Sequence, residues 1–180
     1  MLRNHHQNMQ TSLGHPLDLA ERLGLHPDRG QTEFLNQYAS PDPHDMDLDR
    51  RIGEHPLQAV ALGCLWTLLS EPGAHISVVS SDSDAATIFL EFLDRICKTI
   101  DPAVTSVCRW SKPTVLMVGA EAKGELRLHP TSNPAHVVGM SQRRSVLVVI
   151  GAGSSDIKFE ETVANLKPAL FPTAKVIQLW

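Results

Sequence analysis

At 180 residues, with 42% apolar and 20% charged side chains, the chain suffices for one packed domain and is too apolar to be disordered throughout. A net charge of -4 and a pI near 6.1 exclude a globally basic surface, so any contact with DNA falls to local patches. The three cysteines, Cys64, Cys97 and Cys108, are odd in number and share no CxxC spacing. That argues against a disulfide framework or a structural zinc site and fits a reducing compartment.

Residues 1–15 are polar and aperiodic and read as a flexible N-terminal arm without the apolar centre of a signal peptide. Residues 16–180 read as one domain. A short helix over 16–23 stops at Gly24, and a second is expected over 31–38. The proline- and aspartate-rich stretch 40–49 reads as a loop, with the compact core beginning after it. Over 57–69 the apolar residues Leu57, Val60, Ala61, Leu65, Leu68 and Leu69 recur at helical spacing, and Glu71-Pro72-Gly73 supplies the stop. This stretch is too short to span a bilayer, so a soluble, cytoplasmic protein without a membrane partner is expected. A buried strand over 75–80 precedes a helix capped by Ser83 or Asp84 that runs to about Ile100. Strands follow over 104–110, 114–118, 125–129 and 145–150, then a helix over 159–170 and a last strand over 175–180. The continuous Val146-Leu147-Val148-Val149-Ile150 run lacks alternation, as in a strand covered on both faces. The expected fold is α/β, a mainly parallel sheet flanked by helices.

Three segments in order carry a family resemblance. The first is Leu23-Gly24-Leu25-His26-Pro27-Asp28-Arg29-Gly30-Gln31. The second is Arg50-Arg51-Ile52-Gly53-Glu54-His55-Pro56 leading into the apolar helix and the strand at 75–80. The third runs from Glu125 to the strand ending at Ile150. Together they resemble the N-terminal ATPase domain of phage terminase large subunits, a P-loop (RecA-like) domain of the motors that drive DNA into capsids. The resemblance implies that Gln31 stands where the family's glutamine contacts adenine, that 50–56 takes the place of the phosphate loop, and that Ile150 ends the Walker B strand.

The departures from that pattern bear on function. A phosphate loop needs a lysine for the β and γ phosphates and a serine or threonine for magnesium. By the resemblance, Glu54 stands at the lysine position and His55 at the hydroxyl position, after Gly53. Two unit charges about 4 Å apart interact by about 4 kcal/mol at an effective dielectric of 20, so a carboxylate there repels what the lysine would attract. No lysine lies between Met1 and Lys98. Where the family carries an aspartate for magnesium and a glutamate for water activation, this chain has Gly151 and Ala152. Phosphoryl transfer rests on positioning and charge stabilisation by such groups, so ATP hydrolysis, and with it any magnesium or nucleotide cofactor, is expected to be lost. After 170 only one further strand is expected, so the family's nuclease activity is not expected of these 180 residues.

Other motifs are weaker. Gly151-Ala152-Gly153-Ser154-Ser155-Asp156 matches a dinucleotide fingerprint at two glycines but has Asp156 at the third. Asp45, Asp47 and Asp49 follow calcium-loop spacing, yet Arg50 replaces the required glycine and Pro56 the closing glutamate. His44 and His55 beside these carboxylates have no spacing that fixes a metal geometry. Arg50, Arg51, Arg143 and Arg144, with Lys123, are candidates for phosphate or DNA contacts, although no basic stripe joins them. Trp66, Phe89, Phe92 and Phe159 lie on expected helices and read as core.

The resemblance with its departures implies a non-catalytic, terminase-ATPase-like phage or prophage protein in the host cytoplasm. It would act by contact with a packaging component or a related ATPase. Two alternatives are a nucleotide-binding module that ignores magnesium and a DNA-binding accessory protein.

Overall fold

The computed structural model describes residues 14–40, 45–48, 56–71, 73–99, 108–112, 115–118, 124–129, 145–151, 155–170 and 175–179. Of the expected arm at 1–15, residues 1–13 lie outside them, and His15 belongs to the cap of the first helix. Two short helices open the described chain. In α1 (Pro16–Arg22) the His15 Nδ1 accepts from the Leu17 N–H at 3.2 Å, and Asp18 accepts from the His15 N–H at 2.9 Å. Gly24, at φ +65°, turns the chain out of this helix. In α2 (Arg29–Tyr38) a reciprocal cap forms: Asp28 Oδ1 accepts from the Gln31 N–H at 2.8 Å, and Gln31 Oε1 accepts from the Asp28 N–H at 2.9 Å.

The stretch 40–49, expected as a loop, contains strand β1 (Asp45–Leu48), which pairs in parallel with the last strand. Pairing decided the matter. The Met46 and Leu48 side chains are buried, and that alternation in a partnered strand outweighs the local aspartates. A hydrogen-bonded strand over 45–48 is also incompatible with the calcium-loop reading of Asp45 and Asp47.

Helix α3 (Pro56–Ser70) is buried without interruption from Ala59 to Leu69. Such all-round apolarity marks a helix enclosed by other elements, here α1, α2 and α4 (Ser83–Thr99) beside the sheet. Gly63 admits the Tyr38 ring, since a Cβ there would lie 3.2 Å from ring carbons. The Tyr38 hydroxyl shares a 2.7 Å hydrogen bond with Thr67 Oγ1, and burial first, then the neighbouring Cys64, pushes its phenol well above 10.0. Lys175 donates to the Tyr38 and Ser40 carbonyls and stands 5.1 Å from the Tyr38 ring centroid, tying the end of α2 to the sheet. The core therefore does not begin after residue 49: Leu19, Ala20, Phe34, Leu35 and Tyr38 belong to it.

Among the described residues, β1, β2 (His75–Ser80), β3 (Cys108–Lys112), β4 (Val115–Val118), β5 (Gly124–His129), β6 (Ser145–Ile150) and β7 (Lys175–Leu179) form a seven-stranded sheet in the order β1-β7-β6-β2-β5-β4-β3. The first five in that order are parallel, and β4 and β3 are antiparallel additions. Helices α1 to α4 cover one face, where they meet Ile76, Val78, Val146, Val148 and Ile177. Helix α5 (Ile157–Leu170) covers the other through Phe159 and Val163 against Val79, Leu147, Val149 and Val176. The expected strand buried on both faces is β6, and the fold is α/β with a mostly parallel sheet flanked by helices. Trp66, Phe89, Phe92 and Phe159 are buried in it.

Candidate functional site

In an open parallel sheet, the edge at the strands' carboxyl ends is where ligands gather, above all where consecutive connections leave to opposite faces. Three registers locate that edge here. Leu48 of β1 stands opposite Leu179 of β7, Leu179 opposite Ile150 of β6, and Ile150 opposite Ser80 of β2. Strands lie about 4.8 Å apart, so the chain leaves the sheet after Leu48 and after Ile150 only about 10 Å apart on the same edge. Two sequence motifs separated by nearly a hundred residues thus start from one place.

The switch in direction falls between β2 and β6. After β2 the chain enters α4 on one face, and after β6 it enters α5 on the other. Gly151 begins the second departure at φ +79°, its N–H donating to the Leu179 carbonyl at 2.9 Å. Across the crevice, the Ser81 N–H donates to the Ile150 carbonyl at 3.0 Å and the Ser81 hydroxyl to the Gly151 carbonyl at 3.1 Å. A Cβ on Gly151 would lie 2.1 Å from the Ser81 oxygen. The residue at the end of this strand thus supplies no carboxylate.

Both helix N-termini at the crevice are capped by aspartates. Asp82 Oδ1 accepts from the Asp84 and Ala85 N–H groups at 2.8 and 3.1 Å, so the cap of α4 is Asp82, not Ser83 or Asp84. Asp156 Oδ1 accepts from the Lys158 and Phe159 N–H groups at 2.9 and 3.4 Å. A free helix N-terminus attracts phosphate, but here carboxylates already hold that position. Asp156, the misfit in the dinucleotide fingerprint, is therefore explained as a cap. Lys158, exposed in the first turn of α5, was not singled out from the sequence, because only the position of that turn sets it at the crevice.

Gln31 is 9% exposed, and its Oε1 is occupied in capping α2. Beside it is a cavity of about 60 Å³ whose lining includes Leu25, His26, Gln58, Ala59 and Leu62, so the fold does bring Gln31 to the first turns of α3. Small-molecule pockets start at about 300 Å³, and this space holds a few waters at most. Gly53, Glu54, His55 and Ala152 lie outside the described residues, as do Arg50, Arg51, Lys123, Arg143, Arg144 and His44. Residues 49–55 nevertheless connect the carboxyl end of β1 to the start of α3.

A buried polar pair lies elsewhere, between adjacent strands: His129 Nε2 is 3.2 Å from Ser77 Oγ, at 4% and 0% exposure. Burial first, then Arg127, pulls the His129 imidazole down to about 4, with Glu125 acting in the other direction. Without access to solvent the pair is structural. Among the described residues no cluster of three His, Cys, Asp or Glu side chains could hold a metal ion, and no helix is long and apolar enough to cross a membrane.

Layers, strand order and edge define the class as a three-layer α/β domain, with the candidate site at the carboxyl ends of β1, β7, β6 and β2. No protein-family model matches the chain, and no curated protein matches it. Among solved structures, the large terminase ATPase domain of Thermus phage P74-26 is similar, with a TM-score of 0.61 at 16% identity over 88% of this chain and 67% of that one. A point mutant of that domain gives 0.56 at the same identity and coverage. The fold is thus that of a terminase ATPase domain, as the three sequence segments implied.

Proposed function

We propose that this chain is a non-catalytic relative of terminase ATPase domains, a phage or prophage protein that keeps the scaffold and works through contact with a packaging component or a related ATPase. The observation that carries the reading is the end of β6. There the chain has Gly151, backbone-bonded to Leu179 and packed on Ser81, in place of a magnesium-binding carboxylate. The sequence at 53–55 agrees, with Glu54 and His55 where lysine and a hydroxyl residue are needed. Asp82 and Asp156 add negative charge at the crevice, and among the described residues Lys158 is a weak counterweight to a triphosphate. Stripping a site leaves the surfaces of a fold intact, and binding needs no catalytic residue.

The test is thermal melting with ATP, ADP and a non-hydrolysable analogue, each with and without magnesium. A ligand at a hundred times its Kd stabilises a fold by about 2.7 kcal/mol, a readily visible shift. The expected result is no shift in any condition. A magnesium-dependent shift with ATP would overturn the reading. A shift indifferent to magnesium would replace it with a nucleotide-binding module of altered site, with Gln31 as the base contact. DNA binding that falls steeply with added salt would point instead to an accessory protein using Arg50, Arg51, Arg143 and Arg144.

A further inference from the structure

Helix α4 and the edge strand β3 meet along one line that carries two cysteines. Trp110 Nε1 donates to Asp94 Oδ1 at 3.1 Å, which fixes β3 against the last turns of α4. Cys97 lies three residues beyond Asp94, on the same helix face, and Cys108 lies two residues before Trp110, on the same strand face. The second pair therefore sits one step along the contact already made by the first. The Cys97 and Cys108 thiols stand close enough there to perturb each other. Cys97 is 4% exposed, while Cys108 is half-buried and reachable from solvent. Cys64, fully buried beside Tyr38, takes no part.

From this juxtaposition, two thiols set one step along from the Asp94–Trp110 contact, we propose that Cys97 and Cys108 are a redox-active pair that closes to a disulfide in response to hydrogen peroxide. Interaction with Cys97 lowers the Cys108 thiol, and interaction with Cys108, then burial, raises that of Cys97, so Cys108 is the attacking thiolate and Cys97 the resolving thiol. In the first step the Cys108 sulfur attacks one peroxide oxygen, the O–O bond breaks, and the departing oxygen leaves as water, giving a sulfenic acid. In the second, the Cys97 sulfur attacks the sulfenic sulfur, the S–S bond forms, the S–O bond breaks, and the hydroxyl leaves as a second water with the Cys97 proton. Two thiols lose two electrons, and the peroxide gains them. A later thiol reductant reverses the exchange. The consequence is mechanical: the bond ties the outermost strand of the sheet covalently to α4, closing a loop of about 12 residues.

The experiment treats the native full chain with hydrogen peroxide, traps free thiols by alkylation, and maps tryptic peptides. Cleavage after Arg95, Lys98 and Arg109 puts the two cysteines on separate peptides, 96–98 and 99–109, so a link between them is directly visible. The expected result is a linked pair, an intact mass lower by about two units, reversal by dithiothreitol, and unchanged Cys64. Cys108→Ser should abolish the link, and Cys64→Ser should leave it. Recovery of 96–98 and 99–109 only as separate alkylated peptides, or Cys108 over-oxidised with Cys97 still alkylatable, would overturn the proposal. The melting temperature gives a second, variant-free reading. A rise of roughly 5 °C in the oxidised form is expected if the bond fits native geometry, and an unchanged or lower value would overturn it.

Discussion

Ser81 Oγ donates to the Gly151 carbonyl at 3.1 Å, while a Cβ placed on Gly151 would stand 2.1 Å from that same oxygen. The glycine is therefore required twice, by its φ of +79° and by the hydroxyl that fills the space beside it. Gly151→Ala is expected to cost about 2 kcal/mol, roughly half from backbone strain and half from displacing Ser81. In a Ser81→Ala background the penalty should fall to about 1 kcal/mol, because the nearest remaining atom is the Ser81 Cβ at 3.4 Å. Urea denaturation of the four proteins measures the difference. Equal penalties in both backgrounds would show that Ser81 does not restrict the site.

The N-terminal helices belong to the cooperative core. Leu35 is completely buried between α2 and α3, so Leu35→Ala is expected to destabilise the protein by about 3 kcal/mol. Ile88 on α4 is 54% exposed and provides the control: Ile88→Ala should change stability by no more than about 0.5 kcal/mol. Matching small losses at the two positions would mean that α2 is a loosely docked appendage.

Much of this architecture was legible in local pattern. The apolar run of β6 gave a two-sided strand because a parallel sheet roofed by helices removes alternation, and 57–69 gave a helix because length and spacing agreed. What escaped were features set by distant pairing. β1 is four residues long with two aspartates, and nothing local marks it as a strand; it exists because β7, about 130 residues later, offers a parallel partner. The caps by Asp82 and Asp156 were hidden for a milder reason, since several neighbouring Ser and Asp residues satisfy the same cap preference. At the candidate site, the resemblance implied that Gly151 follows the Walker B strand, and the structure adds why no larger residue sits comfortably at the end of β6. The relation of Gln31 to α3 was implied only by the resemblance, and its capping of α2 was not foreseen, although Asp28 and Gln31 have capping-box spacing.

His129 should make stability depend on pH. Its imidazole is held down to about 4 in the folded protein, by burial first and Arg127 second, against about 6.5 when unfolded. Between those values the unfolded chain binds more protons than the folded one, so the contribution is constant above about pH 6.5 and is lost as pH falls toward 4. The full loss approaches about 3 kcal/mol. His129→Gln keeps a polar partner for Ser77 but removes the titration, and carboxylates common to both proteins cancel in the difference. Unfolding free energies of the two proteins should converge as pH drops from about 7 to about 4.5. Parallel curves would place the imidazole in contact with solvent.

Reversing the charge at residue 54 tests the vestigial site itself. If 49–55 stands at the phosphates of a bound nucleotide, Glu54→Lys exchanges a repulsion of about 4 kcal/mol for an attraction of similar size, at about 4 Å and an effective dielectric of 20. The expected outcome is a melting shift with ATP that the parent chain lacks. Hydrolysis should stay absent, because Gly151 offers no magnesium ligand and an aspartate there would meet both the positive φ and the Ser81 hydroxyl. A folded Glu54→Lys protein that still ignores ATP would show that 49–55 does not face a nucleotide. Turnover by the same variant would show that the carboxylates missing after β6 are supplied from elsewhere in the chain. These two failures separate the position of the site from the cause of its silence, which melting of the parent protein alone cannot do.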